Sequence, residues 1–380
     1  MKEIVALLGW ESGHVGLRIG YVVSTLRRSG PTRQLLNLTT QIKRLGHTPH
    51  VLTLSSEPDD SLWPAFIDVG VNVSSLSMGR TKSLLTGRKK INAWVVEHGI
   101  NVLHTQGIRA DSMVAPLGLP HVATLRNYPF EDYPLLYGGL RGWWMAKWHT
   151  RVLRMVSRPV GVSWGVRGML KKHGLELDVV QNGVDVGYFD VPGSKQRAKE
   201  SVGCYSDRPL AVATGHLIAR KDPETTIKAI TSLEGVDLVL LGDGELRSEL
   251  EGHWAGHERI RFVGRVADVR QWLQAADIFV SPSRSEGLPN SVMEAMACGL
   301  PCVLSDIPPH RELLDGDPVA GELFATRNAE MMANAVRRIL KNAEAAGEAA
   351  RRNAVKSFSA EVMARNYLKL YLEELQRARG

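Results

Sequence analysis

Cysteine is scarce in this chain: Cys204, Cys298 and Cys302 are the only three among 380 residues. An odd set of this kind cannot frame a disulfide scaffold. The last two sit in apolar runs, so buried thiols in a reducing cytosol are expected. Cys298 and Cys302 are four apart, but no His or further Cys stands close by to complete a zinc site. Long apolar runs are missing as well, and none approaches the roughly 18 residues of a spanning helix. The opening MKEIVALLGW has only a short apolar core and an acid beside its lysine, a poor signal peptide. Because the first convincing strand covers residues 18–24, residues 1–17 read as an extension or a misassigned start. There is no short-period repeat, no low-complexity tract and no nucleic-acid module motif.

Charge is present but unevenly spread. Residues 1–190 hold 22 Lys/Arg against 14 Asp/Glu, a net of +8, whereas residues 191–380 hold 25 against 26, a net of −1. The basic half suits an acidic substrate or an anionic membrane. Nucleic acid is the least favoured partner, since the basic residues are not interleaved with strand aromatics.

The length exceeds what one core usually serves, so two domains are expected. Short apolar runs alternate with helical patterns throughout. In the first half, strands are expected at residues 18–24, 50–54, 101–104, 122–125 and 159–163, with a helix over residues 33–45. In the second half they are expected at residues 210–214, 237–241, 260–263, 278–281 and 302–305. Such alternation implies an α/β fold of two doubly wound parallel sheets, with ligand at the carboxyl ends of the strands. The break at residues 191–194 (VPGS) divides a first domain, 1–190, from a second, 191–358, and residues 359–380 form a C-terminal helix expected to pack back on the first.

Residues 283–306 carry the most legible chemistry. A buried strand is followed by a loop containing Glu286, Gly287, Leu288 and Pro289, then by a helix over residues 290–298 with Asn290 or Ser291 as its N-cap. Free backbone N–H groups and the helix dipole make such a turn an anion site. Two carboxylates flank it, Glu286 in the loop and Glu294 one turn into the helix. Neither ligates an anion, but each accepts two O–H bonds from a vicinal diol. A phosphate cradle beside two diol readers describes a site for a sugar nucleotide.

This stretch, EGLPNSVME followed by AMACG, resembles the E-x7-E element of retaining glycosyltransferases of family 4, which have the GT-B fold of two Rossmann-like domains facing a cleft. The resemblance extends over nearly the whole chain. Ser29-Gly-Pro-Thr-Arg33 is similar to the family's N-terminal glycine turn, with Gly30 approaching the diphosphate. Asn182-Gly-Val-Asp185 resembles its NGVD motif, read as structural. Where the family carries a basic pair against the donor diphosphate, this chain has Gly215-His216-Leu217 and then Arg220 and Lys221. Lys221 matches the family's lysine; His216 replaces its arginine, and Arg220 either supplies the missing charge or is a solvated surface group. Gly242 in the GDG loop, and Gly264 and Arg265 in the VGRV stretch, are implied to line the donor. Arg126 stands where the family has a histidine near the reacting carbon, and pairing with Glu131 or Asp132 is its alternative. His104 either lines the same face or is a capped core histidine. Asp315-Gly-Asp317 reads as a turn.

The resemblance implies a hexosyltransferase-type enzyme acting with retention and without metal or cofactor, a UDP-sugar being the first expected donor. Lys221, Arg220, Gly30 and the helix dipole would stabilise the leaving group, Glu286 would hold sugar hydroxyls and Glu294 the ribose. Two rival readings remain open: an epimerase acting on the donor alone, and a silent nucleotide-sugar-binding protein. Residues 141–158 place Lys147, Arg151, Arg154 and Arg158 on one helical stripe, with Trp144, Trp148, Val152 and Met155 on the next. This pattern fits an interfacial helix on anionic lipid, and equally a packed helix with a solvated basic face. On the first reading the enzyme is cytoplasmic and peripheral at the inner leaflet, with a lipid-linked or growing saccharide as acceptor in surface-polysaccharide assembly.

Overall fold

The computed structural model describes residues 16–378. The expectation that residues 1–17 form an extension therefore falls, up to residue 15, outside the described residues.

Short runs, most of them apolar and rich in Val, Ile and Leu, build two sheets. The first contains β1 (Arg18–Val23), β2 (Thr48–Thr53), β3 (Asn72–Ser75), β4 (Val102–Gln106), β5 (His121–Leu125), β6 (Arg158–Gly161) and β7 (Asp178–Val179), in the order β3-β2-β1-β4-β5-β6-β7. The second contains β8 (Leu210–Thr214), β9 (Asp237–Leu241), β10 (Ile260–Gly264), β11 (Ile278–Ser281), β12 (Cys302–Ser305) and β13 (Gly321–Phe324), in the order β10-β9-β8-β11-β12-β13. β1 pairs in parallel with β2 and β4, and all five pairings of the second sheet are parallel. Parallel strands need crossovers, and helices between successive strands supply them. The chain order reverses between β1 and β4 in one sheet and between β8 and β11 in the other. Sites of α/β folds form at such switch points.

By packing, the chain divides into two compact units. One takes the described residues through Leu125, with Pro129–Val160 and the residues from Ala364 onward; the other takes Gly161–Met363 together with Arg126–Tyr128. The break at residues 191–194 lies within the second unit.

Each unit has its own core. Val22, Leu52, Ile91, Trp94 and Leu103 are buried in the first, and Ile227, Leu238, Ile278, Val303 and Val336 in the second. The C-terminal helix Ala360–Arg377, in the first unit from Ala364 onward, presents Tyr367 and Tyr371 to the sheet, both fully buried. The Tyr371 hydroxyl lies 2.6 Å from His104 Nδ1, His104 Nε2 lies 2.7 Å from Thr124 Oγ1, and Thr124 Oγ1 lies 2.7 Å from the Tyr367 hydroxyl. His104 is thus a satisfied core histidine. All three cysteines are free, Cys298 and Cys302 buried and Cys204 half-buried.

Candidate functional site

In the second unit, the loops leaving β8, β9 and β10 are laced together by their backbones. Gly215 N–H donates to the Leu241 carbonyl (2.9 Å), and Gly242 N–H donates to the Gly264 carbonyl (2.8 Å). A Cβ on Gly242, at φ +140°, would sit 1.8 Å from the Gly215 carbonyl oxygen, so only glycine fits. Beside these loops, Thr214, Gly215, His216, Lys221, Ser281 and Ser283 border a hollow of about 30 Å³.

The loop after β11 meets them. The Glu286 side chain, only 8% exposed, places Oε1 2.5 Å from Lys221 Nζ and Oε2 3.3 Å from Arg220 Nη1. Arg220 also donates to the Ser285 carbonyl (2.6 Å), and the Arg284 N–H donates to the Arg220 carbonyl (2.9 Å). Both bases therefore stand against the acid that the spacing singles out, and Arg220 is no loose surface group. Burial pushes the Glu286 carboxyl up, but Lys221 and Arg220 outweigh it and hold the group down at about 2. It is a carboxylate at any physiological pH. His216, at the surface, has its pKa lowered by partial burial and by Arg265, Lys221 and Arg220.

The helix following this loop is Asn290–Ala297, and its N-cap is Pro289, which makes no side-chain cap. The expected Asn290 or Ser291 cap is corrected for a specific reason: Asn290 Oδ1 accepts from Asn182 Nδ2 (3.3 Å). Asn182 Nδ2 also donates to the Leu288 carbonyl (3.0 Å), while its Oδ1 accepts from Arg126 Nη1. The Arg126 carbonyl packs so closely on Gly287 that a Cβ there would lie 1.8 Å from its oxygen. Arg126 and the asparagine of the NGVD motif thus brace the Gly287–Asn290 turn. Leu288 and Pro289 are buried, and Glu294 is half-buried one turn along the helix.

One group the sequence reading passed over is His310. Its ring is fully buried, with Nδ1 2.8 Å from the Ser305 carbonyl and no protein partner for Nε2. Burial pushes it down to about 4 against the opposing pull of Glu286. Asp317, in the D-G-D stretch, caps the short turn Pro318–Ala320 through the Val319 N–H (3.2 Å) and pairs with Arg352. It is the expected turn.

In the first unit, Gly30 opens the helix Gly30–Arg44 behind the N-cap Ser29. A hollow of about 280 Å³ adjoins it, lined by Ser24, Thr25, Arg27, Ser29, Thr32 and Gln106 among others. The Trp-rich stretch forms the helix Gly139–Leu153. Trp144 and Trp148 are exposed, so they do not face the sheet, whereas Val152 is buried and leaves their stripe. Arg158 also leaves its stripe. It begins β6, is buried, and pairs with Glu373 (2.8 Å) and Glu374 (3.5 Å) of the C-terminal helix.

Two parallel-sheet α/β units with an acid, a lysine and an arginine converging on a strand–turn–helix define the GT-B glycosyltransferase class. Two family descriptions match the chain: "Glycosyltransferase Family 4" over residues 28–188 and "Glycosyl transferases group 1" over residues 208–342. The chain belongs to the GT-B glycosyltransferases of family 4. It is 24% identical over 315 residues to the O-antigen biosynthesis glycosyltransferase WclY of Escherichia coli, spanning 79% of this chain and 83% of WclY. Over 144 residues it is 31% identical to an Escherichia coli UDP-Gal:alpha-D-GlcNAc-diphosphoundecaprenol alpha-1,3-galactosyltransferase, covering 35% of this chain and 37% of that one. Among solved structures, Anabaena HepE in complex with UDP-glucose aligns with a TM-score of 0.76 at 17% identity, over 94% of this chain and all of HepE's.

Proposed function

We propose that this glycosyltransferase moves a hexose from a UDP-sugar to a hydroxyl of a lipid-linked saccharide, with retention of anomeric configuration and without metal. The observation that carries this reading is the Glu286–Lys221–Arg220 cluster on the second unit's glycine loops. The acid serves both bases as their shared counter-ion. An arriving diphosphate replaces it as their counter-ion and frees the carboxylate for sugar hydroxyls. The bond from the anomeric carbon to the diphosphate then breaks heterolytically. Lys221 and Arg220 take up the developing charge, in the role that a metal fills elsewhere. The acceptor oxygen bonds to the anomeric carbon on the face the diphosphate leaves, and its proton passes to the departing phosphate. Glu294 accepts from the ribose diol. Gly242, Gly264 and Arg265 border the nucleotide, and Arg126 contributes a permanent charge beside the braced turn.

The UDP donor is supported by HepE's complex with UDP-glucose and by the donor in the galactosyltransferase's name. A lipid-linked acceptor in surface-polysaccharide synthesis is supported by the diphosphoundecaprenol in that same name and by WclY's O-antigen role. The work then takes place at the cytoplasmic leaflet. The deciding experiment follows UDP release from UDP-sugars with and without a polyprenyl-diphosphate saccharide. Release should require acceptor, withstand EDTA and yield a product of unchanged anomeric configuration. Equal release without acceptor, or donor conversion into an isomer, would overturn transfer in favour of hydrolysis or epimerisation.

A further inference from the structure

We propose that the helical hairpin formed by Pro129–Tyr137 and Gly139–Leu153 in the first unit is a lipid-inserting element, whose leucine tip enters an anionic bilayer while its tryptophans and basic residues lie at the headgroups. The proposal rests on the lipid-linked acceptor proposed above and says how the enzyme reaches it.

The hairpin's polarity is reversed relative to an ordinary surface helix, which buries its apolar face and solvates its polar one. Beneath it lies a buried polar chain. The Tyr133 hydroxyl is 2.7 Å from His149 Nδ1, His149 Nε2 is 2.7 Å from Asp111 Oδ2, and Thr105 donates to the same carboxyl group. Gly142, Ala146, Thr150, Val152 and Leu153 complete the inner face, so the hairpin is anchored without the leucines and tryptophans nearer its tip. Those groups point outward: Leu135, Leu136 and Leu140 are 72, 69 and 75% exposed, and Trp144 and Trp148 are 60 and 57% exposed. Among the described residues of the first unit, only Ile67 and Val96 are exposed large apolar side chains outside residues 135–155. The exposed large apolar side chains of this unit are thus concentrated on the hairpin and just after it, and such a concentration marks an interaction site.

Charge selects the occupant. Glu131 and Asp132 stand in the first turn of the first helix, away from the tip; from Tyr133 to Leu175 the chain contains no Asp or Glu, while Arg141, Lys147, Arg151 and Arg154 lie within or just after the second helix. The Lys147 ammonium sits 3.9 Å over the Trp143 ring, its stem along the aromatic and its charge at the rim. Leucines at a tip, tryptophans behind them and cations at the edge match the depth profile of an anionic membrane surface. Among the described residues no helix is long and apolar enough to cross a membrane, so the hairpin enters one leaflet only.

The test uses the full chain and vesicles of phosphatidylcholine alone or mixed equally with phosphatidylglycerol. Wild type should pellet with the mixed vesicles, with a blue shift of tryptophan emission. The variant L135S/L136S/L140S should lose both at every salt concentration while keeping the UDP-induced rise in melting temperature, which shows an intact second unit. Changing Lys147, Arg151 and Arg154 to glutamine should lower partitioning about fivefold per residue. Pelleting of the leucine variant at the wild-type level would overturn insertion. So would a wild type that stays in the supernatant, or one that forms a dimer which the leucine variant dissociates. Pelleting without any UDP response would instead sink the donor assignment and leave this inference standing.

Discussion

Glu286 is enclosed and yet ionised, because two cations stabilise its charge by more than burial costs it. A carboxyl held at about 2 cannot donate a proton near neutrality, which leaves it hydrogen-bond acceptor and counter-ion. If a diphosphate must displace it, removing its charge should help the nucleotide while harming the chemistry. E286Q should therefore bind UDP at least as tightly as wild type by calorimetry, with kcat reduced tenfold or more by about 1.4 kcal/mol or greater. Weaker UDP binding with unchanged kcat would refute the exchange. Lys221→Ala removes a charge-assisted bond of roughly 1.5–3 kcal/mol, a loss of about ten- to a hundredfold in kcat/KM. It also strands Glu286 beside Arg220 alone, so K221A/E286Q should melt higher than K221A without regaining activity. The two acids and the basic pair were legible because a strand, a turn and a helix start fix them locally. What Arg126 touches was not: Asn182 lies 56 residues away, and no local pattern reports so distant a contact.

Elements were legible where burial was complete and not where it was partial. β8, β9, β11 and β12 fall at the expected residues, being apolar runs shielded on both faces. β3 (NVSS) and β13 (GELF) lie at sheet edges with half-exposed residues, and the two-residue β7 is too short to show a period. The helix Gly30–Arg44 begins three residues before the expected start because Ser29 caps it and Pro31 suits its first turn. That the C-terminal helix clamps its own unit by phenols was also invisible, since His104 and Tyr371 are 267 residues apart. Tyr371→Phe takes that hydroxyl from His104, and should cost about 1–2 kcal/mol. Heat denaturation should show the loss in the first unit, with UDP binding unaltered; lost UDP binding would mean that the helix does more than clamp. Gly242→Ala should do the reverse, abolishing UDP binding by driving the β8 and β9 loops apart.

At the scale of the whole molecule, the two units should answer alike to acid and differently to ligand. His121 in the first and His310 in the second are both pushed down by burial to about 4 from an ordinary 6.5. The native state holds them neutral and the unfolded chain takes up protons first. Stability is therefore fully present above about 6.5 and is lost as pH falls from there through about 4, by on the order of 3 kcal/mol for each histidine. Melting temperatures that stay level from pH 7.5 to 5 would contradict this. Ligand, in contrast, should act on one unit. The Glu286 cluster and the laced glycine loops belong wholly to the second unit, so UDP at a hundred times its Kd should stabilise that unit by roughly 2.7 kcal/mol. For a unit of this size that is a rise of roughly 5–10 °C in melting temperature. A two-unit chain need not melt in one step, and scanning calorimetry resolves the steps. The expected record is an upward shift of one transition with UDP, larger than with GDP, ADP or dTDP, unchanged by EDTA and absent in Gly242→Ala. A shift that vanished with EDTA would show that a metal shares the diphosphate with Lys221 and Arg220. A larger shift with GDP would reassign the donor while leaving the cluster's role in place.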